Sequence, residues 1–164
     1  MAAEIERKFL VDLVRTPLPA SGARLRQGYL VRDAQRSVRV RLASDAVSGS
    51  ADAWITVKGA DGIERAEYEY PIPVDDAAAL LDDLCLPGQI DKTRYLVPVE
   101  GRTFEVDVFA GRHAGLAVAE VELEGADEAV TIPGWVTAEV TGDPAWTNAA
   151  MSDPDWHAPT ETGG

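Results

Sequence analysis

A single cysteine, Cys85, is the first thing this chain has little of. One thiol cannot close an intrachain disulfide, so the fold must rest on packing, and the usage fits a reducing, cytoplasmic setting. Histidine is almost as scarce. His113 and His157 have no second histidine or cysteine at metal-ligand spacing, which argues against a zinc site and for surface positions. Positive charge is short as well: 15 Lys+Arg stand against 28 Asp+Glu, a formal net charge of −13. That excludes general nucleic-acid binding and attachment to anionic membranes. It does not exclude a small polyanion, for which the clustering of the cations matters more than their number. No run is long and apolar enough to span a bilayer, and the first residues lead straight into a charged segment instead of a basic-then-apolar leader. What is there is 46% hydrophobic and 26% charged. This is the make-up of a globular chain, read as one domain over 1–152 with a Pro/Gly/Thr-rich tail, 153–164, expected to be disordered.

The segment Glu4-Ile5-Glu6-Arg7-Lys8-Phe9 sets the pattern for the rest. Ile5 and Phe9 alternate with charged residues at a period of two, which predicts a strand with Glu4, Glu6 and Lys8 on one face. Two carboxylates two residues apart can hold a hard divalent cation through oxygen. A lysine further along the same face can meet an anion carried by that cation.

Alternation of this kind predicts eight strands in all, over about 3–11, 24–31, 37–43, 53–58, 63–72, 89–99, 102–109 and 116–124. Asp61-Gly62 is a hairpin signal. One helix is expected over 74–86. Asp75 and Asp76 sit in its first turn, Leu80, Leu81, Leu84 and Cys85 fall at helical spacing, and Pro87-Gly88 ends it. Trp135–Thr141 reads as partly extended and 145–152 as a short helix. Cys85, Trp54, Trp135 and Trp146 read as packing residues, the tryptophans because no basic residues surround them.

Like-signed charges recur in pairs on these strands: Arg39/Arg41, Arg65/Glu67/Glu69, Lys92/Arg94, Glu105/Asp107 and Glu120/Glu122, with Thr56/Lys58 beside them. A sheet with an ordinary wet face mixes its charges. Paired like charges are unfavourable unless something of opposite sign lies between them. Arginine pairs suit phosphate oxygens, because guanidinium offers a planar fork of donors, and glutamate pairs suit a divalent metal. If the sheet curls shut with these faces inward, it forms a tunnel with a basic wall and an acidic wall, fit for a metal–polyphosphate complex. Apolar rows such as Val38/Val40/Leu42 and Phe104/Val106/Val108 then point outward, and two short helices are too little to cover them, so a two-fold homodimer is expected; the competing outcome is that loops such as 12–22 and 125–136 cover the rows and the protein stays monomeric.

The Glu4-Ile5-Glu6-Arg7-Lys8 signature resembles that of the CYTH domain, the triphosphate tunnel metalloenzyme superfamily. The likeness continues through Gln27-Gly28-Tyr29-Leu30, Val38-Arg39-Val40-Arg41, Thr56-Val57-Lys58-Gly59, Arg65-x-Glu67-x-Glu69, Lys92-Thr93-Arg94-Tyr95, Glu105-Val106-Asp107, Ala119-Glu120-Val121-Glu122-Leu123 and Glu139-Val140-Thr141. The ordered series is far more specific than its first member. The resemblance implies a mainly β (α+β) fold, an eight-stranded antiparallel β-barrel tunnel with a few flanking helices, of the short single-domain bacterial type. It implies Mg2+ or Mn2+ held by Glu4, Glu6, Glu120 and Glu122, with Glu67, Glu69 and Asp107 as further candidates. It assigns triphosphate binding to Lys8, Arg39, Arg41, Lys58, Arg65, Lys92 and Arg94, and a catalytic role to Lys8, Glu4 and Glu6. Two departures stand out: relatives often carry lysine where this chain has Ala138, and Arg-Tyr where it has Ala145-Trp146.

The activity expected on these grounds is metal-dependent hydrolysis of inorganic triphosphate, with no nucleic-acid or membrane partner. Hydrolysis of a nucleoside or thiamine triphosphate is the alternative. An adenylyl cyclase ranks lower, because no adenine-binding signature is visible. A non-enzymatic polyphosphate-binding module ranks lower too, because the carboxylates are all present.

Overall fold

The computed structural model describes residues 5–60 and 66–160. Glu4, Arg65 and the Asp61-Gly62 hairpin therefore lie outside the described residues. The described strands are β1 (Ile5–Val11), β2 (Ala23–Arg32), β3 (Arg36–Asp45), β4 (Ala51–Gly59), β5 (Glu67–Pro71), β6 (Ile90–Val99), β7 (Arg102–Phe109), β8 (Ala117–Leu123) and β9 (Val136–Glu139). The helices are α1 (Val74–Asp83) and α2 (Asn148–Met151), with short 3-10 turns at Gly111–His113 and Pro144–Trp146. Eight strands fall where alternation puts them. The ninth, β9, is the partly extended stretch after Pro133-Gly134, which adds to β1 with a register shift between Leu10 and Val11. The sheet is mostly antiparallel. Among the described residues no helix is long and apolar enough to cross a membrane.

The chain divides into two compact units. The first, Met1–Ala23 with Lys92–Asp143, carries strands in the order β6-β7-β8-β1-β9. Its registers set Lys8 opposite Glu120, Glu105 opposite Glu120 and Arg94 opposite Asp107. The charged positions thus share one face. Phe9, Val97, Phe104, Val106, Ala119 and Val121 share the other and form its core. Trp135 packs edge-on against Phe104, at 5.7 Å between ring centroids. Leu18 and Val130 complete the cover, and the two loops that bring them are joined by Asp12 N–H donating to the Trp135 carbonyl at 2.8 Å. Truncating a core aromatic such as Phe104 to alanine costs about 3–5 kcal/mol.

The second unit, Arg24–Asp91 with Pro144–Gly164, orders its strands β5-β4-β3-β2. Arg39 pairs with Thr56, and Thr56 with Glu69, so Arg39, Arg41, Thr56, Lys58, Glu67 and Glu69 share a face. The opposite face buries Val40 and Ala53 under Ala77 and Leu81 of α1, with Cys85 at its margin. α1 stops at Asp83, three residues short of expectation, because the Cys85 N–H turns back to the Leu80 carbonyl and the Leu86 N–H is taken by Tyr29 of β2. Gly88 follows with φ +92°; a Cβ there would sit 2.1 Å from the Ser152 carbonyl, so only glycine fits. α2 is capped by Thr147, whose hydroxyl accepts from the Ala150 N–H.

Three expectations change. The outward apolar rows are covered in large part within the chain: Val40, Phe104 and Val106 are fully buried, and Val38, Leu42 and Val108 are half-buried. The start of the presumed disordered tail is tied down, because Trp156 packs edge-on against Trp146 at 5.4 Å between ring centroids and its Nε1–H donates to the Ala145 carbonyl. His113 is buried against Phe109 and is not a surface residue; its 3-10 turn folds it back onto the end of β7.

Candidate active site

In the first unit the charges form two neighbouring groups on one strand face. The deeper is Lys92–Asp107–Arg94. Lys92 and Asp107 are buried, at 1% and 4% exposure. Lys92 Nζ lies 2.8 Å from Asp107 Oδ2. Arg94 donates from Nε to Oδ1 at 2.8 Å and from Nη2 to Oδ2 at 3.0 Å, while its Nη1 reaches Glu105 at 3.2 Å. Burial opposes ionisation of Asp107, but the charge of Lys92 and the bonds from Arg94 outweigh it and hold the carboxyl below its usual range. Burial likewise opposes the charge on Arg94, and the bonds to Asp107 more than restore it. Lys92 also stands 5.6 Å over the Phe109 ring. Both Asp107 oxygens accept from these cations.

The second group is acidic. Glu6, Glu105, Glu120 and Glu122, with Arg102 and Thr103, line a cavity of about 280 Å3. Glu6 stands opposite Glu122 in register, and Lys8 Nζ lies 3.3 Å from Glu120 Oε1. Facing carboxylates repel unless a cation lies between them. The donor set is all hard oxygen, which suits Mg2+ or Mn2+ and not a soft metal. Among the described residues no three carboxylate, histidine or cysteine side chains already close around one point. Glu4, the fourth glutamate of the implied set, lies outside them.

The strand bearing Lys8 is fixed from the other side. Arg7 makes a two-pronged bond to Glu139, both distances 2.8 Å. The Lys8 N–H donates to the Thr141 hydroxyl, which in turn donates to Glu139. The Arg7 bonds and then the Thr141 bond pull the Glu139 carboxyl down to about 2. The Glu139-Val140-Thr141 motif therefore holds β1 in place. Ala138 lies opposite Leu10 in the same ladder.

In the second unit Arg39 and Arg41 share their face with Thr56 and Lys58. Thr56, itself buried, donates to Glu69 at 3.0 Å, and Glu67 lies opposite Lys58. Glu67 and Glu69 thus neighbour this unit's own cation and hydroxyl. Arg39 Nε is buried and has no hydrogen-bond partner among the described residues. Arg41 Nε donates to the side chain of Gln27 at 3.0 Å. Two residues that the sequence motifs contain had no role assigned to them. Glu105 alternates with Asp107 and was legible as a pair, but its contact with Arg94 was not. Gln27 carried no charge to mark it.

Fold and charged faces together define a mainly antiparallel sheet protein that lines strand faces with ion pairs. The chain belongs to the CYTH domain family, whose model matches residues 2–142. It is 43% identical over 152 residues to the inorganic triphosphatase of Acetivibrio thermocellus, covering 92% of this chain and 94% of that one. It is 35% identical over 158 residues to the inorganic triphosphatase of Nitrosomonas europaea, covering 91% and 96%. The crystal structure of the inorganic triphosphatase NE1496 superposes with a TM-score of 0.72 at 34% identity, covering 98% of this chain and 99% of that one.

Proposed function

We propose that this protein hydrolyses inorganic triphosphate to pyrophosphate and phosphate with Mg2+ or Mn2+. The observation that carries the reading is the strand face of the first unit, where a carboxylate-lined cavity adjoins Lys8, Lys92 and Arg94. Such a face suits a polyanion that arrives with a divalent cation. Two relatives named inorganic triphosphatase, matched over nearly their whole length, support the choice of substrate.

Glu6, Glu120 and Glu122, with Glu4, would hold the metal. Bound there, Mg2+ or Mn2+ supplies Lewis acidity toward the phosphoryl oxygens. Lys8 neutralises charge that develops on the phosphoryl group under attack, and Glu120 keeps its ammonium in place. Lys92 and Arg94, held by Asp107, bind further phosphoryl oxygens. Within the second unit, Arg39, Arg41, Lys58 and Arg65 are the phosphate-binding candidates that the resemblance assigns. A water oxygen joins a terminal phosphorus as its bridging P–O bond breaks, and pyrophosphate leaves. Nearly all of the rate enhancement is positioning and charge stabilisation.

Phosphate release from tripolyphosphate, ATP, GTP and thiamine triphosphate, with Mg2+, Mn2+ or excess EDTA, tests the reading. Release from tripolyphosphate that requires a divalent ion is expected. Failure on tripolyphosphate with either ion overturns it, and a clear preference for one organic triphosphate would replace inorganic triphosphate as the substrate.

A further inference from the structure

Gln27 of β2 is fully buried, and both ends of its amide are constrained by what surrounds them. Arg41 Nε can only donate, so the atom that it meets at 3.0 Å must be the amide oxygen. That leaves Nε2 as the other end, and it has no hydrogen-bond partner among the described residues. A buried amide donor left unsatisfied is costly and rare in a native protein. In the same unit Arg39 Nε is a second buried donor with no partner. Two such donors within one cation-bearing layer call for an acceptor that the described residues do not supply.

Resting on the function proposed above, we propose that Gln27 is a substrate-binding and positioning residue. Its carbonyl orients the Arg41 guanidinium, and its NH2 donates to a phosphoryl oxygen of the bound triphosphate. A neutral donor suits this place. It adds a bond to the anion without adding a third positive charge beside Arg39 and Arg41, whose mutual repulsion already weighs on the protein without ligand. Every phosphoryl oxygen is an acceptor and none can donate back, so this contact favours condensed phosphates over any group that must itself donate.

Gln27→Glu separates the two functions of the amide. The carboxylate keeps an acceptor for Arg41 and removes the unsatisfied donor, so the variant without ligand should melt at or above the wild-type temperature. Toward triphosphate it presents an anion where a donor stood. KM for tripolyphosphate should rise about 10- to 100-fold, as for loss of a hydrogen bond to a charged partner, with kcat changing by less than about fivefold. A folded Gln27→Glu protein with KM within about twofold of wild type overturns the inference while leaving the proposed activity standing. A wild-type protein inactive on tripolyphosphate overturns both. If the variant does not fold, the wild type answers alone. The chain has three glutamines, Gln27, Gln35 and Gln89, and one asparagine, Asn148, so its side-chain amide NMR spectrum is simple to assign. Tripolyphosphate added in EDTA, which prevents turnover, should move the Gln27 NH2 pair; a pair that stays in place at saturation refutes the contact.

Discussion

Asp107→Asn tests how the buried cations are held. In the native protein Asp107 accepts two bonds from Arg94 and one from Lys92, all between 2.8 and 3.0 Å, at a position only 4% exposed. Asparagine keeps the shape and one acceptor but removes the charge. Lys92, at 1% exposure, then loses the charge of the carboxylate 2.8 Å away, and Arg94 keeps Glu105 at 3.2 Å. Removing one partner of a buried ion pair costs about 3–5 kcal/mol. For a chain of this length each kcal/mol moves the melting temperature by about 2–4 °C, so a fall of roughly 6–20 °C is expected in metal-free buffer at neutral pH. Scanning calorimetry measures it. Because Lys92 and Arg94 have then lost the charge of Asp107, tripolyphosphate should recover more melting temperature in the variant than in the wild type. The pH dependence follows the same logic. The folded carboxyl titrates below its usual value. Its stabilisation is therefore present above the unfolded value of about 3.9 and lost as pH falls through the folded one, and the substitution should flatten that part of the acid limb. A melting temperature within about 2 °C of wild type, together with a raised metal requirement, would refute the cation-holding role and return Asp107 to the metal.

Three further outcomes are expected. Glu122→Gln should raise the Mg2+ or Mn2+ concentration needed for half-maximal phosphate release by at least about tenfold, because it removes an anionic oxygen from the cavity; an unchanged metal titration counts against that site. Arg39→Ala should weaken tripolyphosphate binding by about 1.5–3 kcal/mol in isothermal titration, without lowering the melting temperature of the free protein, since Arg39 Nε makes no bond there; full affinity would mean that the arginine does not meet the substrate. Glu139→Gln should cost little, about 0.5 kcal/mol, because the Glu139 side chain is 42% exposed. The folded carboxyl titrates near 2, so the gap to wild type in urea unfolding should be present at pH 6 and close as pH falls from about 4.5 toward 2; a gap that widens in acid is the wrong sign.

Much of this protein is written locally. A period of two carries strand direction and face, so Ile5, Phe9, Val121 and Phe104 could be placed on one side and Glu6, Lys8, Glu120 and Glu105 on the other before any pairing was known. The order of charged motifs then carried the family. Termini of elements were less legible, because they depend on partners: α1 ends where Tyr29, distant in sequence, takes the Leu86 N–H. Cover for the apolar rows was legible only as an alternative, loops 12–22 and 125–136 against a second copy. Leu18, Val130 and Trp135 come from segments without periodicity, and only the folded chain lays them over Phe104. His113 was misread for the same reason, since a turn residue shows no sign in sequence of the ring it will fold against. The division of labour among carboxylates also waited for the tertiary structure. Glu105, Asp107, Glu120 and Glu122 look alike along the chain. Register sets Asp107 beside Lys92 and Arg94 and leaves Glu6, Glu120 and Glu122 around a cavity. Alternation determines the face a side chain takes, whereas its role depends on which charge the neighbouring strand places opposite it.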